Sequence, residues 1–335
     1  QWRGPLRDGV CQEKGLLKSW PQGGPKLLWQ ATGMGTGFSS VAIVRGRLYT
    51  MGDIPTASGA KEQHIIAFDL ATRKRVWTAR MGRPHTDGSR CTPTVSGGLV
   101  YAVGTDGDIV CVKAADGQEV WRLNMERDLG GKMMSEWRYS ESPLVDGNRV
   151  IVTPGMPQST LVALDSKTGK LIWKCAAGDI GPKGADGSGY SSAVTAQVGG
   201  VKTYVQQYGR GVIGVEASTG KLLWSYNGVA CSVANIPTPV IKGDLVFVSN
   251  AYNAGSACLR MTADGTGVHA AEVYKLPART LQNHHGGLVC VGNYIYGGHG
   301  QNAGAPTCVE LATGKVQWQA SAPGRGSAAV LAADG

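Results

Sequence analysis

One short unit recurs along the chain and restricts its fold more than any other feature. An apolar run ends in an acid or its equivalent, a tight turn carrying Thr or Asp then Gly follows, and a Trp comes soon after. The unit runs from Asp69 through Thr72 to Trp77, from Asp116-Gly117 to Trp121, and from Asp165 through Thr168-Gly169 to Trp173. It returns from Glu216 through Thr219-Gly220 to Trp224 and from Glu310 through Thr313-Gly314 to Trp318. A degenerate copy surrounds Asp264-Gly265, with His269 where the Trp is expected. The turn positions Arg73, Gly117, Gly169, Gly220, Gly265 and Gly314 lie 44, 52, 51, 45 and 49 residues apart. Repetition at this interval means stacked supersecondary units.

Each unit is itself a hairpin, since two β-branched apolar runs flank a turn whose Gly tolerates a positive φ. A second strand pair precedes each one, as in Val41–Val44 and Arg47–Tyr49 around Arg45-Gly46, or Pro143–Val145 and Asn148–Val150 around Asp146-Gly147. Four short strands per period give an all-β fold, a β-propeller of four-stranded blades. Trp77, Trp121, Trp173, Trp224 and Trp318 are then structural, filling the wedge between neighbouring blades. First strands are expected near 39–44, 91–95, 140–145, 191–198, 236–241, 286–291 and 327–331, giving six complete blades and a seventh begun at Ser327. Residues 1–25 read as an N-terminal extension and 26–335 as the propeller, with Lys26–Trp29 as an orphan fourth strand. An unpaired edge is a liability, so the native chain is expected to continue past residue 335 to seven or eight blades.

Composition narrows the function classes. No apolar run is long enough to suggest a membrane span. The net charge of +9 comes from 33 basic and 24 acidic residues, but no dense basic cluster accompanies it, so no nucleic-acid partner is expected. The eight cysteines form no CxxC, CxxCH or adjacent pair, which disfavours a zinc ribbon, an attached haem or a redox dithiol. Cys111, Cys258 and Cys308 occupy a strand position where other repeats carry Ala or Gly and read as small buried hydrophobes. Neither GxSxG nor a strand-to-helix GxGxxG is present. The chain opens at Gln1-Trp2 without an initiator Met, consistent with a removed signal peptide and a periplasmic or extracellular location.

The repeat resembles that of the pyrroloquinoline quinone (PQQ) propeller superfamily over roughly residues 26–330. That group holds quinoprotein alcohol and glucose dehydrogenases, BamB-type outer-membrane assembly lipoproteins and many uncharacterised secreted bacterial proteins. The opening Gln1–Pro5, Asp8-Gly9 and Trp20-Pro21 are further similar to the start of those secreted members. The resemblance implies a propeller commonly of eight blades, and in its enzymes a PQQ cofactor with Ca²⁺. It specifies a fold strongly and a chemistry weakly.

The connections between blades, and those between second and third strands, share one face and read as long and variable, including 53–63, 250–256 and 299–306. Such a loop-rich face is where binding concentrates. Four constellations fall there. Trp137, Arg138 and Glu141 open the third blade; in a quinoprotein, Trp137 would stack on the quinone and Glu141 would ligate Ca²⁺. His284 and His285 with His299 belong to one blade and are candidates for a transition-metal site, with Glu141, His285 and His299 as possible ligands. In an extended strand His284 and His285 would point to opposite faces. His85, Asp87 and Arg90 form a loop able to offer a base or an anion contact. Tyr190 and Asn235 are candidates for the channel wall.

Two functions compete, with the catalytic residues unassigned in both. One is a non-catalytic binding or scaffold propeller whose loop-rich face takes a protein, small-molecule or carbohydrate ligand. The other is a quinone- or metal-dependent oxidoreductase of the alcohol or sugar dehydrogenase type. The lack of an adjacent-cysteine pair and of a motif-anchored catalytic Asp favours the first. A carbohydrate binder would in addition need aromatic platforms in the mouth of the channel, and among the tryptophans only Trp137 is free for that.

Overall fold

A computed structural model describes residues 1–322 and 324–335. Among the described residues there are six four-stranded antiparallel sheets, spanning residues 42–82, 94–124, 144–175, 194–226, 240–276 and 288–319. Each pairs its strands in chain order, as a propeller blade does. The first strands of successive blades approach one another and surround the axis. No helix occurs among the described residues, so none is long and apolar enough to cross a membrane.

The repeat's chemistry accounts for the blade's outer hairpin. In its third strand a small residue sits directly opposite the aromatic of the fourth: Ala67 faces Trp77, Cys111 faces Trp121, Ala163 faces Trp173 and Gly214 faces Trp224. Cys308 faces Trp318 in the same way, and a register shift follows each of these pairs. All eight cysteines are free, and Cys111, Cys258 and Cys308 are buried. The aromatic then crosses to the next blade. The indole N–H groups of Trp77, Trp121 and Trp173 donate to the carbonyls of Ala114, Ser166 and Ala217 at 3.2, 2.9 and 3.2 Å. Each ring lies flat on the turn glycine of that blade, so closely that a Cβ at Gly169 or Gly220 would fall 2.9 or 2.6 Å from ring carbons. These glycines are also left-handed, at φ 70° and 78°. Apolar clusters that straddle adjacent blades complete the core.

Blade five corrects the expected register. Its outer hairpin is longer, Gly255–Asp264 with Gly267–Leu276, and the residue opposite Cys258 is Tyr274, not His269. The Tyr274 hydroxyl donates to Leu311 O at 2.7 Å and its ring covers Gly314, so it does the work of the tryptophan. His269 sits at the hairpin tip beside Asp264. A Cβ at Gly265 would correspondingly meet nothing, and Trp224, buried among apolar residues of blade five, donates its indole N–H to no protein acceptor among the described residues.

The chain ends also differ from expectation. Lys26–Trp29 forms no strand, and Leu27 and Leu28 are exposed. Residues 327–331 form none either; Ala332–Ala333 pairs in parallel with Val10–Cys11. Residues 1–9 are no free extension: Arg7 is buried and donates to Ser142 O and Pro143 O, just before the first strand of blade three, at 2.6 and 3.1 Å. Arg3 reaches Leu288 O in blade six, so this segment spans the axis. Trp318 is 47% exposed, whereas Trp77, Trp121, Trp173 and Trp224 are 6–8% exposed.

Candidate functional site

A belt of hydroxyls holds the inner strands in register. Ser40 N donates to Thr92 Oγ1, Thr92 N to Ser142 Oγ, Ser142 N to Ser192 Oγ and Ser192 N to Thr238 Oγ1, at 3.1, 3.0, 2.9 and 3.4 Å. Each bond joins one blade to the next and leaves fewer orphan backbone groups on the axis. Above the belt lies a cavity of about 670 Å³, within the size range of sites for drug-sized ligands. Its wall comes from inter-blade connections and second-to-third-strand turns, so the face expected to carry function does hold a pocket. The connections differ in length from the sequence reading: strand pairing runs out to Pro55–Lys61, and the turns expected at 53–63, 250–256 and 299–306 shorten to 56–60, 251–254 and 300–304.

Of the sequence candidates, Asp87, Arg90, Trp137, Tyr190, His284 and His285 line this cavity. The loop bearing the first two is pinned from beneath by buried Asp53, which accepts from Ser89 Oγ at 2.7 Å and from His85 N at 2.9 Å. Arg90 then donates to Asp87 at 2.8 Å and to Trp137 O at 2.7 Å, tying blade two's entry to blade three's. The Trp137 ring meets Tyr190 edge-on at 6.1 Å, and the Tyr190 hydroxyl bonds Ser135 at 2.5 Å.

The histidine pair overturns the expected alternation. His284 and His285 do not point apart; their rings stack at 3.5 Å, 29° from parallel, because this segment is irregular and precedes the strand Leu288–Val291. His284 is fixed by the Tyr252 hydroxyl at 2.9 Å and Ser327 Oγ at 3.1 Å. Burial pushes its pKa below the ordinary histidine value. His285 keeps an exposed edge, yet the protein mass around it, with His284 adding to the effect, pushes it down to about 4. Both imidazoles are therefore neutral near pH 7.

Five candidates lie elsewhere. His85 stands behind the wall with Nδ1 3.4 Å from Arg90 Nη1. Arg138 adopts φ 63°, which swings it to an outer cleft and onto Asp106 at 2.5 Å. Asn235 is buried and its amide donates to the carbonyls of Tyr208, Gly209 and Cys231, making it a loop brace. His299 accepts from Gln282 N at 3.3 Å and is not among the lining residues. Glu141 is 2% exposed and accepts from Thr153 N at 2.7 Å. Ser39 and Cys91, at the same repeat position, accept from Met51 N and Val103 N, so Glu141 fills a structural slot. Burial pushes its carboxyl up to about 7, with the Thr153 bond and the Arg7 charge opposing the rise.

Sequence reasoning missed Phe38, Ser140, Ala234, Ile236 and Tyr252, and did not commit to Gln301 and Asn302, although these follow His299 in one of its constellations. The first four belong to no motif. Tyr252 and Asn253 are both left-handed, at φ 55° and 65°, a conformation that composition does not announce.

The donor set does not fit the quinone–calcium pair that the resemblance implies. Ca²⁺ takes six to eight oxygens with carboxylates among them. Asp87 is the one acid among the lining residues and is paired to Arg90, while Glu141 faces Thr153 and Arg7. Glu141, His285 and His299 do not converge either: no group of three His, Cys, Asp or Glu side chains able to hold a metal occurs among the described residues.

The family model described as "Outer membrane protein assembly factor BamB" matches residues 61–320. The chain belongs to this PQQ-type propeller family. Among curated relatives it is 29% identical over 151 residues to the quinohemoprotein alcohol dehydrogenase ADH IIB of Pseudomonas putida, covering 44% of this chain and 21% of that protein. It is 26% identical over 159 residues to BamB of Burkholderia pseudomallei, covering 47% and 34%. The chain thus matches about a fifth and about a third of the length of these relatives. Among solved structures, BamB from Moraxella catarrhalis superposes with a TM-score of 0.56 at 12% identity, over 84% of this chain and 71% of that one. The computationally designed Ika8 protein superposes at 0.54 and 13%, over 87% and 76%. At such identities the superpositions establish the fold alone.

Proposed function

We propose that this BamB-family propeller is a binding or scaffold module acting in the periplasm or outside the cell, and that the loop-face cavity is its binding site. The observation that carries this reading is the spent chemistry of the cavity wall. Asp87 and Arg90 neutralise each other, His284 is held by two hydroxyls, and Glu141, the carboxylate that an enzyme of the superfamily would place on calcium, is sealed behind the first strand. What remains is a rigid, largely aromatic cup with a few fixed polar groups, which suits recognition. The family model's name and the BamB relatives favour a protein partner in outer-membrane assembly as one occupant of the loop face. The match to the quinohemoprotein alcohol dehydrogenase is what favours a second reading, a quinone-dependent oxidoreductase.

Dye-linked oxidation separates the two. Purified protein supplied with PQQ, Ca²⁺ and an electron-acceptor dye is offered primary alcohols and aldoses. The binding reading expects no turnover above a heat-denatured control. Saturable, PQQ-dependent turnover would replace it with the oxidoreductase.

A further inference from the structure

The cavity wall also says what kind of ligand it suits. Four aromatic side chains, Phe38, Trp137, Tyr190 and Tyr252, border it, with the stacked imidazoles of His284 and His285 beside them. Phe38 is 75% exposed at the rim, an unusual place for a phenylalanine in a chain with only three. Gln301 and Asn302 come from the turn after the second strand of blade six, and each offers an amide that both donates and accepts. Asp87 and Arg90 add a rigid acceptor–donor pair.

The wall has no uncompensated charge. Arg90 directs one terminal nitrogen at Trp137 O and the other at Asp87, whose carboxylate compensates its charge. The histidines carry no charge near neutral pH, since burial holds both below their ordinary value. An anionic ligand would thus find no free cation, and a cationic one would compete with Arg90 for a single carboxylate. Aromatic faces offer apolar platforms to the C–H faces of a pyranose ring, while planar amides and a carboxylate accept and donate to its vicinal hydroxyls. A volume of about 670 Å³ falls within the size range of pockets that hold small-molecule ligands.

From the aromatic rim, the paired charges and the two amides, we propose that the loop-face cavity binds a neutral oligosaccharide end, with Trp137 as the stacking platform and Asn302 and Gln301 as the hydroxyl readers. This proposal rests on the binding-module reading and names the ligand class of the same site. Trp137 is held for this role, its carbonyl by Arg90 and its ring edge by Tyr190.

The test is an array of neutral and acidic oligosaccharides probed with the full chain, followed by calorimetric titration of the strongest neutral hit. The proposal expects binding that changes less than about twofold between low and high salt, because no net charge is being neutralised. Trp137→Ala should weaken it at least tenfold, and Asn302→Ala several-fold, with melting curves confirming that both variants fold. If Trp137→Ala does not fold, Trp137→Phe should retain part of the affinity and Asn302→Ala carries the test. No neutral hit, hits confined to acidic glycans with steep salt dependence, or binding indifferent to Trp137 and Asn302 would each overturn the proposal. The dye-linked assay distinguishes the two failures: absent sugar binding with no turnover removes only the ligand class, whereas quinone-dependent turnover removes the binding module itself.

Discussion

Replacing the repeat tryptophans one at a time probes how the blades hold together, because the same residue type sits in two environments. Trp173 is 8% exposed, its N–H donates to Ala217 O, its ring lies 6.1 Å from Tyr204, and it covers Gly220 on the next blade. Trp173→Ala removes that ring, leaves a void between two sheets and orphans a carbonyl, so the expected loss is about 3–5 kcal/mol. Trp318 occupies the same repeat position opposite Cys308 but is 47% exposed. About half the burial is present, so Trp318→Ala should cost roughly half as much, about 1.5–2.5 kcal/mol. For 335 residues the unfolding entropy converts 1 kcal/mol to roughly 1.4 °C, giving melting shifts of about 4–7 °C and 2–4 °C. Circular dichroism melts read both, with urea titrations as a second measure. Equal losses for the two variants would refute the argument that inter-blade burial sets the cost, and no loss for Trp173→Ala would remove the inter-blade role altogether.

Other expectations come from the same geometry. Gly220→Ala places a Cβ 2.6 Å from the Trp173 ring at φ 78° and should cost about 2–4 kcal/mol in urea, whereas Gly265→Ala, which meets nothing within 4 Å, should stay within about 0.5 kcal/mol. Tyr274→Phe deletes the bond to Leu311 O and should cost about 1 kcal/mol by the same measurement, a loss His269→Ala would not share. Glu141, with its carboxyl raised from 4.5 to about 7 by burial, binds its proton more tightly in the folded than in the unfolded chain. Its contribution is therefore complete below about pH 4.5 and disappears as pH rises through about 7, a difference of about 3 kcal/mol. Urea midpoints should fall between pH 5 and pH 8, and Glu141→Gln should flatten that slope; a wild-type midpoint that rises with pH would contradict the buried assignment.

The blade was legible in the sequence because its determinants are local. Thr72, Thr168, Thr219 and Thr313 each close a turn onto the acid three residues before, and the Trp follows at fixed spacing. Blade five shows the limit: lengthening one hairpin moved the docking role to Tyr274 and left His269 at the tip, a change no residue count reveals. The site was half legible. Trp137, Tyr190, Arg90 and the histidine pair drew notice as polar or aromatic residues at strand entries, and they do meet. Glu141 and Asn235 drew notice for the same reason, but their side chains turn into their own blade or loop, and direction depends on a backbone path the sequence does not state. Arg7 was overlooked because its importance is tertiary, as an arginine from the chain's opening residues buried beside blade three.

The most direct test of the central claim is calorimetric titration of the protein with PQQ and Ca²⁺, together and separately, in wild type and in Glu141→Gln. A cavity whose charges are internally paired and whose one superfamily-type carboxylate is sealed predicts no saturable heat for either addition and no difference between the two proteins. Stoichiometric, calcium-dependent binding of the quinone that Glu141→Gln abolishes would contradict the account and place this propeller among the quinoproteins.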